Sequence, residues 1–172
     1  MIVVFCGLPA VGKSYLADEL SKRYSYRVIN RDILRDRMFE NAELDYSDEQ
    51  NQFASLVAGE LLTYLAKKDP TRVFIMDGRP FSKRTQREAI KSLAETLSQK
   101  IIFVLCYVDD QIVKVRLGGE GIIDRKDRRT FHRYQSLKEE FEPLIGDYLA
   151  VDTGHSVEKN LSIINNYIKE RE

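Results

Sequence analysis

Residues 1–24 read MIVVFCGLPAVGKSYLADELSKRY, and this stretch decides the fold. Its first six residues form a continuous apolar run, which is typical of a β-strand that is buried on both faces. Two glycines mark a turn at 7–12, and residues 13–24 have the pattern of a helix. The stretch therefore predicts a strand, a tight turn and a helix in immediate succession, which is the opening unit of an α/β sheet.

The same alternation continues along the chain. Further short apolar runs, typical of strands, occur at 28–29, 73–76, 101–107 and 149–151. Longer stretches with helical spacing lie between or after them, at 48–68, 82–98, 130–142 and 156–170. Ser47 and Gln50 form a capping box before the first of these helices, and Pro143 is expected to end the third. The pattern predicts a three-layer α/β fold, in which a five-stranded parallel sheet carries helices on both faces.

The composition is that of one folded domain spanning 1–172. The length of 172 residues suits a single domain, and 43% hydrophobic with 31% charged residues argue against a disordered chain. Because the formal net charge is zero, the chain lacks the basic excess that is usual in a dedicated duplex-DNA binder. Cys6 and Cys106 lie in apolar runs without zinc or disulfide spacing, so we expect two buried thiols.

The N-terminal apolar run gives no sign of export. No basic segment precedes it, and it is too short to cross a membrane. We therefore expect a cytoplasmic protein that has no membrane partner. Nothing in the sequence implies a protein partner.

Residues 7–14, GLPAVGKS, match the pattern GxxxxGK[ST] without departure, between the predicted strand and helix where the motif requires it. The two glycines permit a turn whose N–H groups point at phosphate oxygens, and the helix adds the positive end of its dipole. Lys13 can reach the β- and γ-phosphates, and the Ser14 hydroxyl can bind Mg²⁺. We therefore predict a Walker A loop for ATP with Mg²⁺; the alternative is a chance glycine-rich turn. The predicted nucleotide-binding residues are Gly7, Leu8, Pro9, Ala10, Val11, Gly12, Lys13, Ser14 and Tyr15.

Acidic residues follow the second and third predicted strands, in NRDILR and VFIMDGR. Because open parallel sheets bind ligands at the carboxyl ends of their strands, Asp32 and Asp77 should face one cleft. The Asp32 carboxylate can orient a hydroxyl and accept its proton, and Arg35, one helical turn on, can bind phosphate charge. As an alternative, Asp32 is only a helix N-cap. Asp77 can hold Mg²⁺ in the manner of a Walker B aspartate, or it simply ends a strand. Arg79 either meets the acceptor or phosphate, or lies on the surface.

Residues 111–133 combine a glycine-bearing segment with many basic side chains. These are Lys114, Arg116, Arg125, Lys126, Arg128, Arg129 and Arg133. Since a cation that closes on the transferring phosphate stabilises its charge, we predict an arginine-bearing lid. Arg116 and Arg125 are the leading candidates, followed by Arg128 and Arg129. The alternative is a solvated helix face with a surface loop.

The turn after the last predicted strand reads VDTGHS at 151–156. In folds of this kind that turn often lines the adenine pocket, so Asp152, Thr153 and Gly154 are candidates for packing on the base. Thr153 and Arg116 are predicted to bind the cofactor. His132 and His155 lack the spacing of metal ligands, so surface or capping roles are expected for both.

Four motifs in order, GLPAVGKS, NRDILR, MDGR and the arginine-bearing segment, carry a resemblance over nearly the whole chain. The chain resembles the small P-loop kinases related to phage-type polynucleotide 5′-hydroxyl kinase, a group of AAA-type kinases. The resemblance implies that Asp32 is the general base and that Arg35 engages the acceptor side. It likewise places Lys13 and Ser14 in the P-loop. Asp77 and Arg116 correspond to the family's third-strand acid and its lid arginine.

These features together predict an ATP-dependent kinase, a transferase that moves the γ-phosphoryl group to an alcohol hydroxyl. The preferred acceptor is a nucleic-acid or nucleotide 5′-hydroxyl, which requires an open basic groove beside Asp32. A kinase for a small metabolite or antibiotic hydroxyl is the first alternative, and it requires a closed pocket there. A nucleotide-dependent switch or binding module without kinase activity is the second, and it would leave Asp32 without a role.

Overall fold

The computed structural model describes residues 1–118 and 130–172. Strands and helices alternate along most of the chain. The strands are β1 Ile2–Cys6, β2 Arg27–Asn30, β3 Phe74–Asp77, β4 Ile101–Tyr107 and β5 Leu149–Asp152. The helices are α1 Lys13–Tyr24, α2 Arg31–Met38, α3 Asp48–Lys68, α4 Arg84–Thr96, α5 Asp110–Arg116, α6 Phe131–Glu139 and α7 Val157–Lys169.

The strands form a five-stranded sheet in the order β2-β3-β1-β4-β5, and all neighbouring pairs are parallel. At its centre, Val4 of β1 pairs with Met76 on β3 and with Phe103 on β4. Asn30 and Asp77 are paired at the ends of β2 and β3, so their side chains share one edge of the sheet. The order and direction of the strands confirm the predicted fold class.

Helices cover both faces of this sheet, and β1 is therefore buried on both sides. Val3 and Phe5 pack with residues of α1, α5, α6 and α7 in one hydrophobic core. Ile2, Val4 and Cys6 alternate to the other face and pack with α3 and α4. The apolar run at the N-terminus thus supplies two cores at once. None of the helices in the two described ranges is both long and apolar enough to cross a membrane.

The predicted capping box at α3 is present with one change of partner. The Ser47 hydroxyl caps the helix by accepting from the backbone N–H of Gln50, at 3.1 Å. The side-chain oxygen of Gln50 accepts from the N–H of Tyr46, also at 3.1 Å, one residue earlier than the usual box.

The predicted end of the helix at 130–142 was wrong, because α6 ends at Glu139 and not at Pro143. Tertiary hydrogen bonds draw the following residues away towards α4. The N–H of Glu142 donates to the carbonyl of Ser82 at 2.9 Å, and the Arg87 guanidinium donates to the carbonyl of Pro143 at 3.0 Å. The chain therefore leaves the helix before the proline can stop it.

Both ends of the predicted lid at 111–133 lie in helices that are anchored to the fold. Val113 of α5 and Tyr134 of α6 are buried in the same hydrophobic core. The Tyr134 hydroxyl also donates to Asp110 at 2.7 Å, which ties α6 to the start of α5. The predicted arginines Arg125, Arg128 and Arg129 lie outside the described residues.

Gly7→Ala is expected to destabilise the fold. Gly7 has a φ of +135°, and a Cβ at this position would overlap the carbonyl oxygen of Cys106 on β4. The unfavourable backbone and the overlap should lower the free energy of unfolding by about 2–4 kcal/mol. Gly59→Ala, within α3, is the matched control, since the added Cβ would lie at an ordinary distance of 3.7 Å from Leu93. That change should raise the free energy of unfolding by about 0.5–1 kcal/mol. Urea melts of both variants that shift in the same direction would contradict this packing.

Candidate active site

Residues 7–14, which we call the phosphate cradle, form a loop that leads from β1 into α1. Gly7 and Gly12 both have positive φ, at 135° and 96°, as a loop of this curvature requires. Gly12 is the N-cap of α1 and supplies no side-chain hydrogen bond to the first N–H groups, and no acidic residue lies in the first turn. The open N-terminus of a helix is a favourable place for an anion.

Lys13 lies over the cradle with its side chain buried. Its Nζ donates to the carbonyls of Gly7 and Leu8, at 2.8 and 2.7 Å. Burial lowers the pKa of Lys13, while the charge of Asp77 opposes this shift. A phosphate oxygen could replace either carbonyl as the partner of this ammonium group.

Asp77, at the end of β3, is almost fully buried but only half satisfied. Its Oδ2 accepts a hydrogen bond of 2.6 Å from the side-chain amide of Asn30. Its Oδ1 is buried and accepts none from the described residues. An orphaned carboxylate oxygen beside the phosphate cradle fits a bound cation, because unsatisfied buried acceptors are rare.

The Asp77 carboxylate and the Ser14 hydroxyl offer oxygen atoms, which are the ligands that Mg²⁺ prefers. The Ser14 side chain follows Lys13 at the start of α1 and is exposed. Within the described ranges, no group of three or more His, Cys, Asp or Glu side chains could cage a metal. Mg²⁺ ordinarily takes one or two protein oxygens and completes its shell with water and substrate phosphates. The Asp77 carboxylate and the Ser14 hydroxyl are therefore the residues that would hold it.

Asp32 lies in the first turn of α2, at the end of β2, but it does not cap the helix. The cap is Asn30, whose side-chain oxygen accepts from the N–H of Ile33 at 3.0 Å. The Oδ1 atom of Asp32 accepts from Arg31 at 2.6 and 3.1 Å and from Arg35 at 3.2 Å. Its Oδ2 accepts no hydrogen bond from the described residues, and 26% of the side chain is exposed. One oxygen is thus fixed and the other is free to accept a proton.

Arg35 lies one turn from Asp32 on the same side of α2, as the spacing predicts, but its guanidinium is buried. It donates to Asp36 at 2.8 and 3.0 Å and to Asn51 of α3 at 2.8 Å. The guanidinium also lies 4.5 Å from the centre of the Tyr46 ring. In this arrangement Arg35 joins α2 to α3 and orients Asp32, and its donors are largely used within the protein.

Arg116 and Thr153 meet at the opposite side of the cradle. The Arg116 guanidinium donates to the carbonyl of Ala10 at 3.1 Å and to the Thr153 hydroxyl and carbonyl, both at 3.4 Å. The Thr153 hydroxyl in turn donates to the carbonyl of Val11. These two predicted residues therefore lie against the loop that they were expected to serve. Tyr15, the last of the predicted nucleotide-binding residues, lies on α1 and is exposed.

Asn30 is the residue that the sequence did not single out. Its amide caps α2 with one atom and holds Asp77 with the other. The capping half was visible in the sequence, because asparagine is a favoured N-cap. The bond to Asp77 follows from the pairing of β2 with β3, which residue patterns along the chain do not specify.

The sequence is similar to a known protein family and to several named proteins. The family model described as AAA domain matches residues 2–144. An adenylate kinase from Caldicellulosiruptor bescii is 31% identical over 138 residues, which are 75% of this chain and 59% of that protein. The chain therefore spans about three fifths of that relative. An adenylate kinase from Mycolicibacterium smegmatis is 30% identical over 156 residues, covering 86% of each chain.

Solved structures share the fold at low sequence identity. The APS kinase of Mycobacterium tuberculosis, in complex with AMPPNP and APS, has a TM-score of 0.72 at 15% identity, covering 98% of this chain and 96% of that one. A gluconokinase from Sinorhizobium meliloti has a TM-score of 0.65 at 16% identity, with 99% and 96% covered. Since the family model spans most of the sequence, the chain belongs to the AAA domain family, and it has the fold of the P-loop kinases.

Proposed function

We propose that this kinase transfers the γ-phosphoryl group of ATP, with Mg²⁺, to an alcohol hydroxyl, and that its preferred acceptor is a nucleic-acid or nucleotide 5′-hydroxyl. The observation that carries the proposal is the free Oδ2 atom of Asp32 at the carboxyl edge of the sheet. An alcohol must lose its proton when it attacks phosphorus, and a carboxylate in this place can accept it.

The cradle holds the donor. Backbone N–H groups at the start of α1 bind the phosphates, and Lys13 exchanges a carbonyl partner for a β- or γ-phosphate oxygen. Ser14 and Asp77 would hold Mg²⁺, which would offset the negative charge of the phosphates. Arg116 lies against the cradle and adds positive charge from α5.

Asp32 serves the acceptor. The bonds from Arg31 and Arg35 hold Oδ1 in place, which leaves Oδ2 available to the acceptor hydroxyl. The hydroxyl oxygen forms the new bond to the γ-phosphorus while the bond to the β,γ-bridging oxygen breaks. The proton moves to Asp32, and ADP leaves with the bridging oxygen.

The free Oδ2 atom of Asp32 also helps to distinguish between the classes of candidate acceptor. The relatives named adenylate kinase suggest a phosphate acceptor, but a phosphate is already anionic and needs no base of this kind. The structures named gluconokinase and sugar kinase support the second candidate, a small-metabolite hydroxyl, which would use Asp32 in the same way. A switch without transfer activity would leave this oxygen without a use.

Lys13→Ala is expected to reduce phosphoryl transfer by about a hundredfold or more, because it removes a charge that stabilises the transferring phosphate. The fold should persist, since the lost bonds go only to carbonyls of the cradle. Lys22→Ala, which removes an exposed lysine of the same helix, is the control and should keep normal turnover. Near-normal turnover of folded Lys13→Ala would refute the role of the cradle.

Asp32→Asn tests the proposed base. Transfer should fall by about a hundredfold or more at unchanged ATP affinity, because the variant keeps the shape of the side chain but cannot accept the proton. Asp36→Asn is the matched control, since it also removes a carboxylate partner of Arg35 on α2. Melting temperature, ATP binding and transfer rate should be measured on both variants. If the two lose activity equally, Asp32 only supports Arg35 and the base lies elsewhere.

Asp77→Asn is expected to raise the Mg²⁺ concentration needed for half-maximal transfer by about tenfold or more, since it removes a charged oxygen ligand. The assay is a Mg²⁺ titration at constant free ATP. Stability should change little, because Asn30 can still donate to the remaining carbonyl oxygen at 77. An unchanged Mg²⁺ requirement would show that the orphaned oxygen of Asp77 does not serve the metal.

A further inference from the structure

Arg79 is not among the residues proposed to bind ATP, Mg²⁺ or the acceptor hydroxyl. It follows Gly78 at the carboxyl end of β3 and is partly buried. Among residues 1–118 and 130–172 it makes no hydrogen bond or ion pair, and its one described contact is the Phe81 ring, 5.9 Å from the guanidinium. Removing a charged group from water without a counterion is unfavourable, so this position needs an explanation.

A second arginine lies next to it. The Gly78 turn packs against the start of α2 so closely that a Cβ at position 78 would lie 2.8 Å from the backbone nitrogen of Arg31. Burial lowers the pKa of Arg79, and the positive charge of Arg31 lowers it further. The fold therefore brings two arginines of like charge close to one another at one edge of the cleft.

The neighbouring carboxylates pair with other residues and not with Arg79. Arg31 shares a single oxygen of Asp32 with Arg35. Arg35 takes Asp36 for itself, and Asp77 gives its one bonded oxygen to Asn30. The described residues thus offer Arg79 no anion, although arginine suits bidentate binding of phosphate and carboxylate.

We propose that Arg79, assisted by Arg31, binds a phosphate group on the acceptor molecule, so that the substrate of this kinase is an alcohol that already carries a phosphate. The inference rests on the proposed function, since it assigns the pair to the acceptor that Asp32 activates. Arg79 lies on the Asp32 side of the cleft because Gly78 packs against the N–H of Asp32 as well, at 2.7 Å from the same Cβ position. Arg116 contacts the cradle and Thr153 instead.

The binding test uses inorganic phosphate as the probe, with the cradle first filled by Mg²⁺ and AMPPNP. Wild-type protein should bind phosphate about 10- to 100-fold more tightly than Arg79→Gln, the usual contribution of a charge-assisted hydrogen bond or two. Arg72→Gln is the matched control, because it removes an exposed arginine that lies just before the start of β3. It should bind as wild type does. Equal phosphate binding by wild type and Arg79→Gln, or no binding by wild type, would overturn the proposal.

Stability gives an independent readout of the same variant. Arg79→Gln should melt at or above the wild-type temperature, because it removes a partly buried charge that has no counterion in the described protein. A structural arginine would behave in the opposite way. A marked fall in melting temperature would mean that Arg79 supports the fold, and the proposal would be wrong.

The transfer test separates this inference from the proposed function. Adenosine and adenosine 3′-monophosphate offer the same 5′-hydroxyl without and with a phosphate. Wild type and Arg72→Gln should prefer the phosphorylated acceptor by about tenfold or more in kcat/KM, and Arg79→Gln should lose that preference. Transfer to both acceptors at equal kcat/KM would overturn the anion site and leave the kinase. Phosphate binding that depends on Arg79, without transfer to any hydroxyl, would support the anion site and overturn the alcohol acceptor.

Discussion

The side-chain amide of Asn30 holds the site together. Its nitrogen donates to Asp77 at 2.6 Å, and its oxygen caps α2 by accepting from Ile33 at 3.0 Å. One planar group therefore fixes the carboxylate proposed to hold the metal and the helix that carries Asp32. Because both bonds come from the same amide, a change in either strand end would move both carboxylates. The other oxygen of Asp77 is buried and accepts no hydrogen bond from the described residues.

The parallel sheet makes this arrangement possible. All five strands point the same way, so the cradle after β1, the turn after β3 and the start of α2 meet at one edge. The close approach of Gly7 to the carbonyl of Cys106 brings the cradle down against β4. On the far side, Arg116 and Thr153 tie α5 and the turn after β5 to the same loop. The groups proposed to bind ATP and those proposed to bind the acceptor thus lie at different strand ends of one sheet.

Much of this could be predicted from the sequence, for local reasons. The cradle motif lies within eight consecutive residues between two strongly patterned elements, and the strand-ending acids follow directly from apolar runs. What could not be predicted depends on contacts between distant segments. The use of Arg35 within the protein requires Asn51 and Tyr46, and the early end of α6 requires Ser82 and Arg87. The isolation of Arg79 is likewise visible only once the neighbours of Gly78 are known.

The chemical form of the product tests the central claim most directly. Wild-type protein would be incubated with ATP, Mg²⁺ and, in separate reactions, a 5′-hydroxyl oligonucleotide, adenosine 3′-monophosphate, gluconate and AMP, and the products identified by ³¹P NMR. The free oxygen of Asp32 predicts a phosphomonoester on a hydroxyl, with the 5′-hydroxyl acceptors used best. Formation of ADP from AMP as the main reaction, with no ester from any alcohol, would contradict the account.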